Sequence, residues 1–276
     1  MLRWSRSSRK ALSIAIGFSI VSSLATAQQS EVEDSEIETC LAEGKILKGA
    51  ESLDGVTRPI KIQIECESGT QSAVFKSIDE HRRGITRLQG AGAEMNFSDD
   101  FRYERAAYLL DRALGLNMVP VAVIRSRRGD DGVLVAWIEN ASHENEMPGK
   151  PTGPQMAELT RQKQLMYLFD ALIENTDRRR ENWMIDNDEW NLYLIDHSRA
   201  FRTDDNLSEE FLERRSRLTR DLYDRLLALN QADLENLLRG LIDGNQIAAL
   251  IARRDEIIAK IDRDRQEYGD VMVFSE

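Results

Sequence analysis

The hydrophobic pattern of this chain is mainly of period two in its N-terminal half and helical in its C-terminal half, and that contrast limits the folds open to it. Arg58-Pro-Ile-Lys-Ile-Gln-Ile-Glu65 alternates apolar and polar residues, and Ser72-Ala-Val-Phe-Lys76 does so more loosely. A period of two puts one row of side chains on each face of a strand, so both segments predict strands, with Glu67–Thr70 as the turn between them. Gly44–Lys48 predicts a shorter strand ahead of them. From Leu159 to Asn175 apolar residues recur instead at 165, 166, 169, 172 and 173, which is a helical stripe. Further helices are predicted over about 207–229, 231–242 and 244–266.

The middle of the chain joins these two regimes. Residues 79–97 are charged and glycine-rich and predict a loop. Ser98-Asp99-Asp100 predicts the cap and acidic first turn of a helix that runs to Leu114 and stops at Gly115. Val119–Ile124 and Val133–Ile138 predict two strands around a turn at Arg128–Gly132. Pro148, Pro151 and Pro154 mark an exposed connector. The whole reads as an α+β chain of two lobes. A β-rich N-lobe with one key helix spans 44–140, a connector 141–157, and a helical C-lobe 158–276.

The N-terminus bears on where the lobes work. Arg3, Arg6, Arg9 and Lys10 precede an apolar run, Ala11–Leu24, that closes in Ala25-Thr26-Ala27. This is the pattern of a secretory signal peptide over 1–27, cleaved after Ala27, and the run falls short of the roughly 20 residues a spanning helix needs. No Cys follows the cleavage site, so a lipoprotein is not indicated. Loss of the four basic residues takes the net charge from −11 to −15. A chain this acidic repels nucleic acid and anionic membrane surfaces. With no further segment apolar enough to span a membrane, the mature protein is expected to be soluble, in the periplasm or secreted. Residues 28–43 are predicted to include a flexible acidic N-terminus. In an oxidising compartment Cys40 and Cys66 are expected to form one disulfide, closing a loop of about 26 residues; two separate buried thiols are the other reading. A Cys-based metal site has no support, because there is no CxxC and no Cys/His cluster.

Chemistry concentrates between residues 169 and 201. A helix ends near Asn175, Asp177 and Asn182 follow with four residues between them, and a short apolar hairpin delivers Asp196. Phosphoryl transfer needs a residue that positions the acceptor and oxygen ligands that hold Mg²⁺ or Mn²⁺ against the phosphates. Asp177, Asn182 and Asp196 supply those parts in the order kinases use them. Upstream, Lys76 ends the third predicted strand, from which a lysine can reach the α- and β-phosphates of ATP. Glu104 lies in the first turns of the following helix, where it can face inward and pair with Lys76. Gly49 and Gly55 flank a loop that could cover phosphates. In a plainer reading Asp177-Arg-Arg-Arg180 is a solvated turn, Lys76 a surface lysine and Asp196 a strand-end cap. His81, His143 and His197 are scattered, and only His197, beside Asp196, sits near a candidate residue; it reads as a plain neighbour.

Ile173-Glu-Asn-Thr-Asp177-Arg and Leu194-Ile-Asp196-His-Ser-Arg-Ala-Phe201 resemble the catalytic and metal segments of atypical kinases. The similar groups are the secretory-pathway (Golgi casein kinase-like) kinases and the phosphatidylinositol 3-/4-kinase-like kinases, with bacterial relatives. The passage Glu104–Pro120 and the tail Gln246–Asp255 resemble theirs too, so the resemblance covers about 44–262. It implies a two-lobed protein-kinase-like fold in which Lys76 and Glu104 bind ATP and Asp177 is the catalytic base. Asn182 and Asp196 would hold the metal, and Trp137-Ile-Glu139 would be the inter-lobe hinge where backbone meets adenine. The chain departs from ordinary protein kinases in having Asn175-Thr176 before Asp177 and His-Ser after Asp196. The implied function is an exported ATP-dependent phosphotransferase acting on a protein or glycan acceptor. A nucleotidyl transferase using the same site, a nucleotide-binding pseudokinase and a simple α+β interaction domain are the alternatives.

Overall fold

The structure is a computed structural model that describes residues 32–47, 51–53, 59–88 and 92–275. The segment read as a signal peptide, and Gly49 and Gly55, lie outside the described residues.

Two lobes are present. The N-lobe is a mixed-length antiparallel sheet in the order β1 (Lys45–Ile46), β3 (Ile60–Cys66), β4 (Gly69–Lys76), β10 (Val133–Ala136), β9 (Ala122–Ile124), with β2 (Glu51–Ser52) also pairing to β3. The period-two segments form the β3–β4 hairpin, register Ile62↔Ala73 and Ile60↔Phe75. Their inward residues Ile62, Ile64, Ala73 and Phe75 are buried in the core to which helix α2 (Arg102–Leu114) also contributes. The helix turns Ala106, Ala107, Leu110 and Leu114 toward the same core and ends at Gly115, whose φ of 69° is the left-handed stop that glycine accepts without strain.

Two expectations need correction here. Residues 79–97 are not a plain loop. β5 (Asp79–His81) pairs with β8 (Ser98–Asp100), and β6 (Ile85–Leu88) pairs with β7 (Gly92–Met95). The outer ribbon is solvated, with Ile85 and Met95 exposed, so it carries no buried row and no alternation to read. The acidic N-terminus is a helix over 32–43, α1, rather than a flexible tail. Ile37, Cys40 and Leu41 turn inward from it. Asp34 pairs with Arg112 at 2.5 Å, and Glu38 with Arg105 at 3.1 Å and the Tyr108 hydroxyl at 2.6 Å. Ion pairs to α2 explain why so acidic a stretch is ordered. Cys40 and Cys66 form the expected disulfide, which joins α1 to β3.

The connector starts with a strand, β11 (Ala141–Ser142), which pairs with β12 (Trp183–Asp186) and so begins the C-lobe; β12 pairs in turn with β13 (Leu192–Leu194). Helix α3 (Gly153–Ile173) starts earlier than its apolar stripe, at a capping box formed by Thr152 and Gln155 with proline in the first turn. The 207–229 segment divides into α4 (Glu209–Glu213) and α5 (Arg220–Ala228), because Thr219 caps a new helix and Leu218 forms a bridge with Phe274. α6 (Gln231–Leu237), α7 (Gly244–Tyr268) and α8 (Asp270–Val273) complete the lobe. Arg253 of α7, fully buried, donates to the carbonyls of Leu172, Asp204 and Arg202, so it ties the long helix to the end of α3. No helix among the described residues is long and apolar enough to cross a membrane.

Candidate active site

Lys76 is the last residue of β4, opposite Val133. The following strand must come close there: a Cβ at Gly132 would lie 2.4 Å from the Lys76 carbonyl and 2.6 Å from the Phe75 ring, so only glycine fits. The lysine Nζ lies 2.5 Å from Glu104 Oε1 and 3.0 Å from Asp196 Oδ1. One side chain from β4, one from the first turn of α2 and one from the C-lobe therefore meet at a single ammonium. Burial alone would lower the Lys76 pKa, but Glu104 and Asp196 together carry it above the usual lysine value. Burial alone would raise Glu104, but Lys76 and then His197 hold its carboxyl well below the carboxylate range. Both members of the pair are charged.

Asp196 follows β13 with φ of 62°, in the left-handed region where an aspartate is uncommon. The turn aims its carboxylate at Lys76 rather than along the strand, and the side chain stays 42% exposed toward the cleft. Asn182 lies across the open end of the β12–β13 hairpin, where its carbonyl accepts from Ile195 N at 3.1 Å. Its Nδ2 donates to the Asp177 carbonyl at 2.7 Å, which leaves its Oδ1 for a ligand. The side chains carried on these two neighbouring segments offer carboxylate and amide oxygens, the kind of donor that suits a hard cation such as Mg²⁺ or Mn²⁺.

Asp177 is half-buried in the turn after α3, with Arg179 Nε at 2.8 Å from Oδ1 and Arg199 Nη1 at 3.4 Å from Oδ2. Of the three successive arginines, Arg178 is not part of a solvated turn. It forms a bidentate pair with Asp170, 2.9 and 3.0 Å, and its Nη1 donates to the carbonyls of Asn182 and Ile195. One guanidinium thereby holds the two chain segments that carry Asn182 and Asp196 side by side. Its Nη2 also donates to His197 Nε2 at 3.1 Å. That bond makes Nε2 the acceptor, so the proton sits on Nδ1, which donates to Glu104 Oε2 at 3.3 Å. His197 is fully buried, and burial pushes its pKa down. It orients Glu104 rather than standing by as a plain neighbour.

The hinge residues are a partial fit. Residues 137–140 run from β10 of the N-lobe to β11 of the C-lobe, as an inter-lobe hinge must. The Trp137 N–H, however, donates to the Ser72 carbonyl at 3.0 Å, so it is not free for adenine. Lys61 Nζ lies 3.6 Å over the Trp137 ring, and Glu139 is exposed. Beyond the cleft, Asp79, His81 and Asp100 converge on the β5–β8 pair, but Arg102 Nη2 stands 2.9 Å from both carboxylates and already supplies the positive charge. A cavity of about 310 Å³ between the end of α2, α3 and β13, bordered by Met118, Gln162 and Leu222, contains none of the site residues.

The fold, a sheet-built N-lobe on a helical C-lobe, is that of an atypical kinase, as comparison with known proteins shows. Residues 133–232, from β10 through the segment that carries Asp177, Asn182 and Asp196, match the HipA-like kinase family. Among solved structures the chain is similar to hydra Fam20 with sugar, at 16% identity over 89% of this chain and 93% of that one, TM-score 0.63. It is similar also to the Golgi casein kinase with Mn/ADP bound, at 15% identity over 88% of this chain and 79% of that one, TM-score 0.60. The fold is therefore of the Fam20 and Golgi casein kinase type. No curated protein matches the chain by sequence.

Proposed function

We propose that this chain is an exported, metal-dependent phosphotransferase that uses ATP to phosphorylate a protein or glycan acceptor. The observation that carries this reading is the three-way contact of Lys76 with Glu104 and Asp196, which joins strand, helix and metal segment at one point. Lys76 binds the α- and β-phosphates as a fixed point charge, and Glu104, oriented by His197, holds it there. Asn182 and Asp196 hold Mg²⁺ or Mn²⁺, which when bound neutralises charge on the phosphates. Asp177 accepts the proton of the acceptor hydroxyl, leaving an oxygen in line with the γ-phosphorus. Adenine lies against the 137–139 hinge. That one similar structure holds Mn/ADP and another a sugar supports a metal–nucleotide site and a glycan or protein acceptor. Export is supported by the disulfide, which persists in oxidising compartments, and by the reading of 1–27 as a signal peptide.

The test is label transfer from ATP with Mn²⁺ to candidate proteins and glycans, or to the chain itself. Transfer from γ-labelled but not α-labelled ATP, lost in Asp177→Asn, is the expected result. Transfer from the α-label instead would make the chain a nucleotidyl transferase.

A further inference from the structure

Strand β8 presents two successive aspartates to opposite faces, as any strand does. On one face Asp100 is fully partnered, with Arg102 Nη2 at 2.9 Å and His81 Nε2 at 3.1 Å from its Oδ2. On the other, Asp99 turns toward the segment that carries Asp196. The backbone fixes this neighbourhood, because Asp100 N donates to the Ser198 carbonyl at 2.8 Å. Asp99 is 8% exposed, and its Oδ1 is buried with no hydrogen-bond partner among the described residues. An unpartnered buried carboxylate oxygen costs stability, and native structures keep few of them without a function. The nearby cations act on Asp99 only through space, although the Arg199 Nε is itself buried without a hydrogen-bond partner among the described residues. The Ser198 side chain bonds the Asp99 carboxyl group. Lys76 binds Glu104 and Asp196, and the Arg199 guanidinium reaches Glu94 and Asp177. Glu104 and Asp196 thus contact Lys76, and Asp99 lies within electrostatic reach of it.

We propose that Asp99 is a further metal-holding residue of the cleft, its unpaired Oδ1 taking a divalent cation, or a water bound to that cation, from the N-lobe side opposite Asn182 and Asp196. The inference rests on the kinase reading above and extends it: the cation is gripped from both lobes, so its binding draws β8 and the Asp196 turn together. This also explains why an acidic residue precedes α2 on its inner side, where a cap alone would face the helix N-terminus.

The experiment is Mn²⁺ titration of the whole chain in the presence of ADP, followed by the electron paramagnetic resonance signal of free Mn²⁺. Asp99→Asn and Asp99→Ala are compared with the parent and with Asp100→Asn, which removes an equal charge one residue away. Asp99→Asn and Asp99→Ala should weaken Mn²⁺ binding by about tenfold or more, with metal-free melting temperatures no lower than the parent's. Asp100→Asn should change binding less than about twofold, because its carboxylate faces Arg102. Parent-like binding in both Asp99 variants, or an equal loss in Asp100→Asn, overturns the role of Asp99 and leaves the kinase reading standing. Absence of Mn²⁺ binding in the parent overturns both. If Asp99→Asn melts below the parent, Asp99→Ala alone decides.

Discussion

At the scale of single residues, the central feature is a charge that cannot be left alone. Glu104 is 2% exposed, and among the described residues its carboxylate bonds only Lys76 and His197. Lys76→Met should therefore destabilise the protein by about 3 kcal/mol or more, since it strands a buried carboxylate rather than merely removing a contact. Chemical denaturation checks this; an unchanged midpoint would mean the pair contributes nothing. A second residue sets a pH dependence. Asp111 is buried, accepts from Met118 N at 3.0 Å and Val119 N at 3.3 Å, and burial pushes its carboxyl up to about 6 in spite of Arg112. Its folded form holds a proton that the unfolded chain has already released, so its contribution falls as pH rises from about 4 to 6 and is level above. Asp111→Asn keeps the acceptor oxygen and has no proton to lose. The variant should gain on the parent in melting temperature across that window, and a constant difference would exclude the effect.

At the scale of elements, α1 acts as a brace on the helix that carries Glu104. Asp34 and Glu38 grip α2 through Arg112, Arg105 and Tyr108, and the Cys40–Cys66 disulfide fastens the brace to β3. Arg125 adds two bonds, to the carbonyls of Leu41 and Gly44 at 2.7 Å each. Reduction should cost about 3 kcal/mol, or roughly 6–10 °C of melting temperature for a chain of this size. A Cys40→Ser/Cys66→Ser variant should melt at the reduced temperature and ignore reductant. The elements also show what could be read beforehand and what could not. The β3–β4 hairpin, α2 and the hairpin leading to Asp196 depend on local periodicity and spacing, which the sequence carries openly. α1 was hidden because only Ile37, Cys40 and Leu41 form its apolar stripe and its order comes from arginines some 70 residues away. Arg178 was hidden for the same reason: its worth lies in Asp170, Asn182 and Ile195, which the fold alone brings around it. Asp99 read as part of a helix cap because strand pairing, not spacing, decides which way it points.

At the scale of the molecule, two lobes of different construction meet at one cleft. The sheet contributes Lys76, α2 contributes Glu104, and the C-lobe delivers Asp177, Asn182 and Asp196 from two chain segments clamped by Arg178. Contact between the lobes at the site runs through Lys76–Asp196 and Glu104–His197, and beside it through apolar packing such as Tyr103 against Phe201. Under the proposed function Asp196 is the point where lysine, cation and phosphates meet, so everything turns on whether a metal–nucleotide complex binds there. The direct measurement is the melting temperature of residues 28–276 with ATP and Mn²⁺ or Mg²⁺, in the parent and in Asp196→Ala. A rise of several degrees is expected in the parent, as mass action requires of a ligand bound only by the folded state, and none in the variant. No rise in the parent with any nucleotide–metal pair, or an equal rise in Asp196→Ala, would contradict the proposed function.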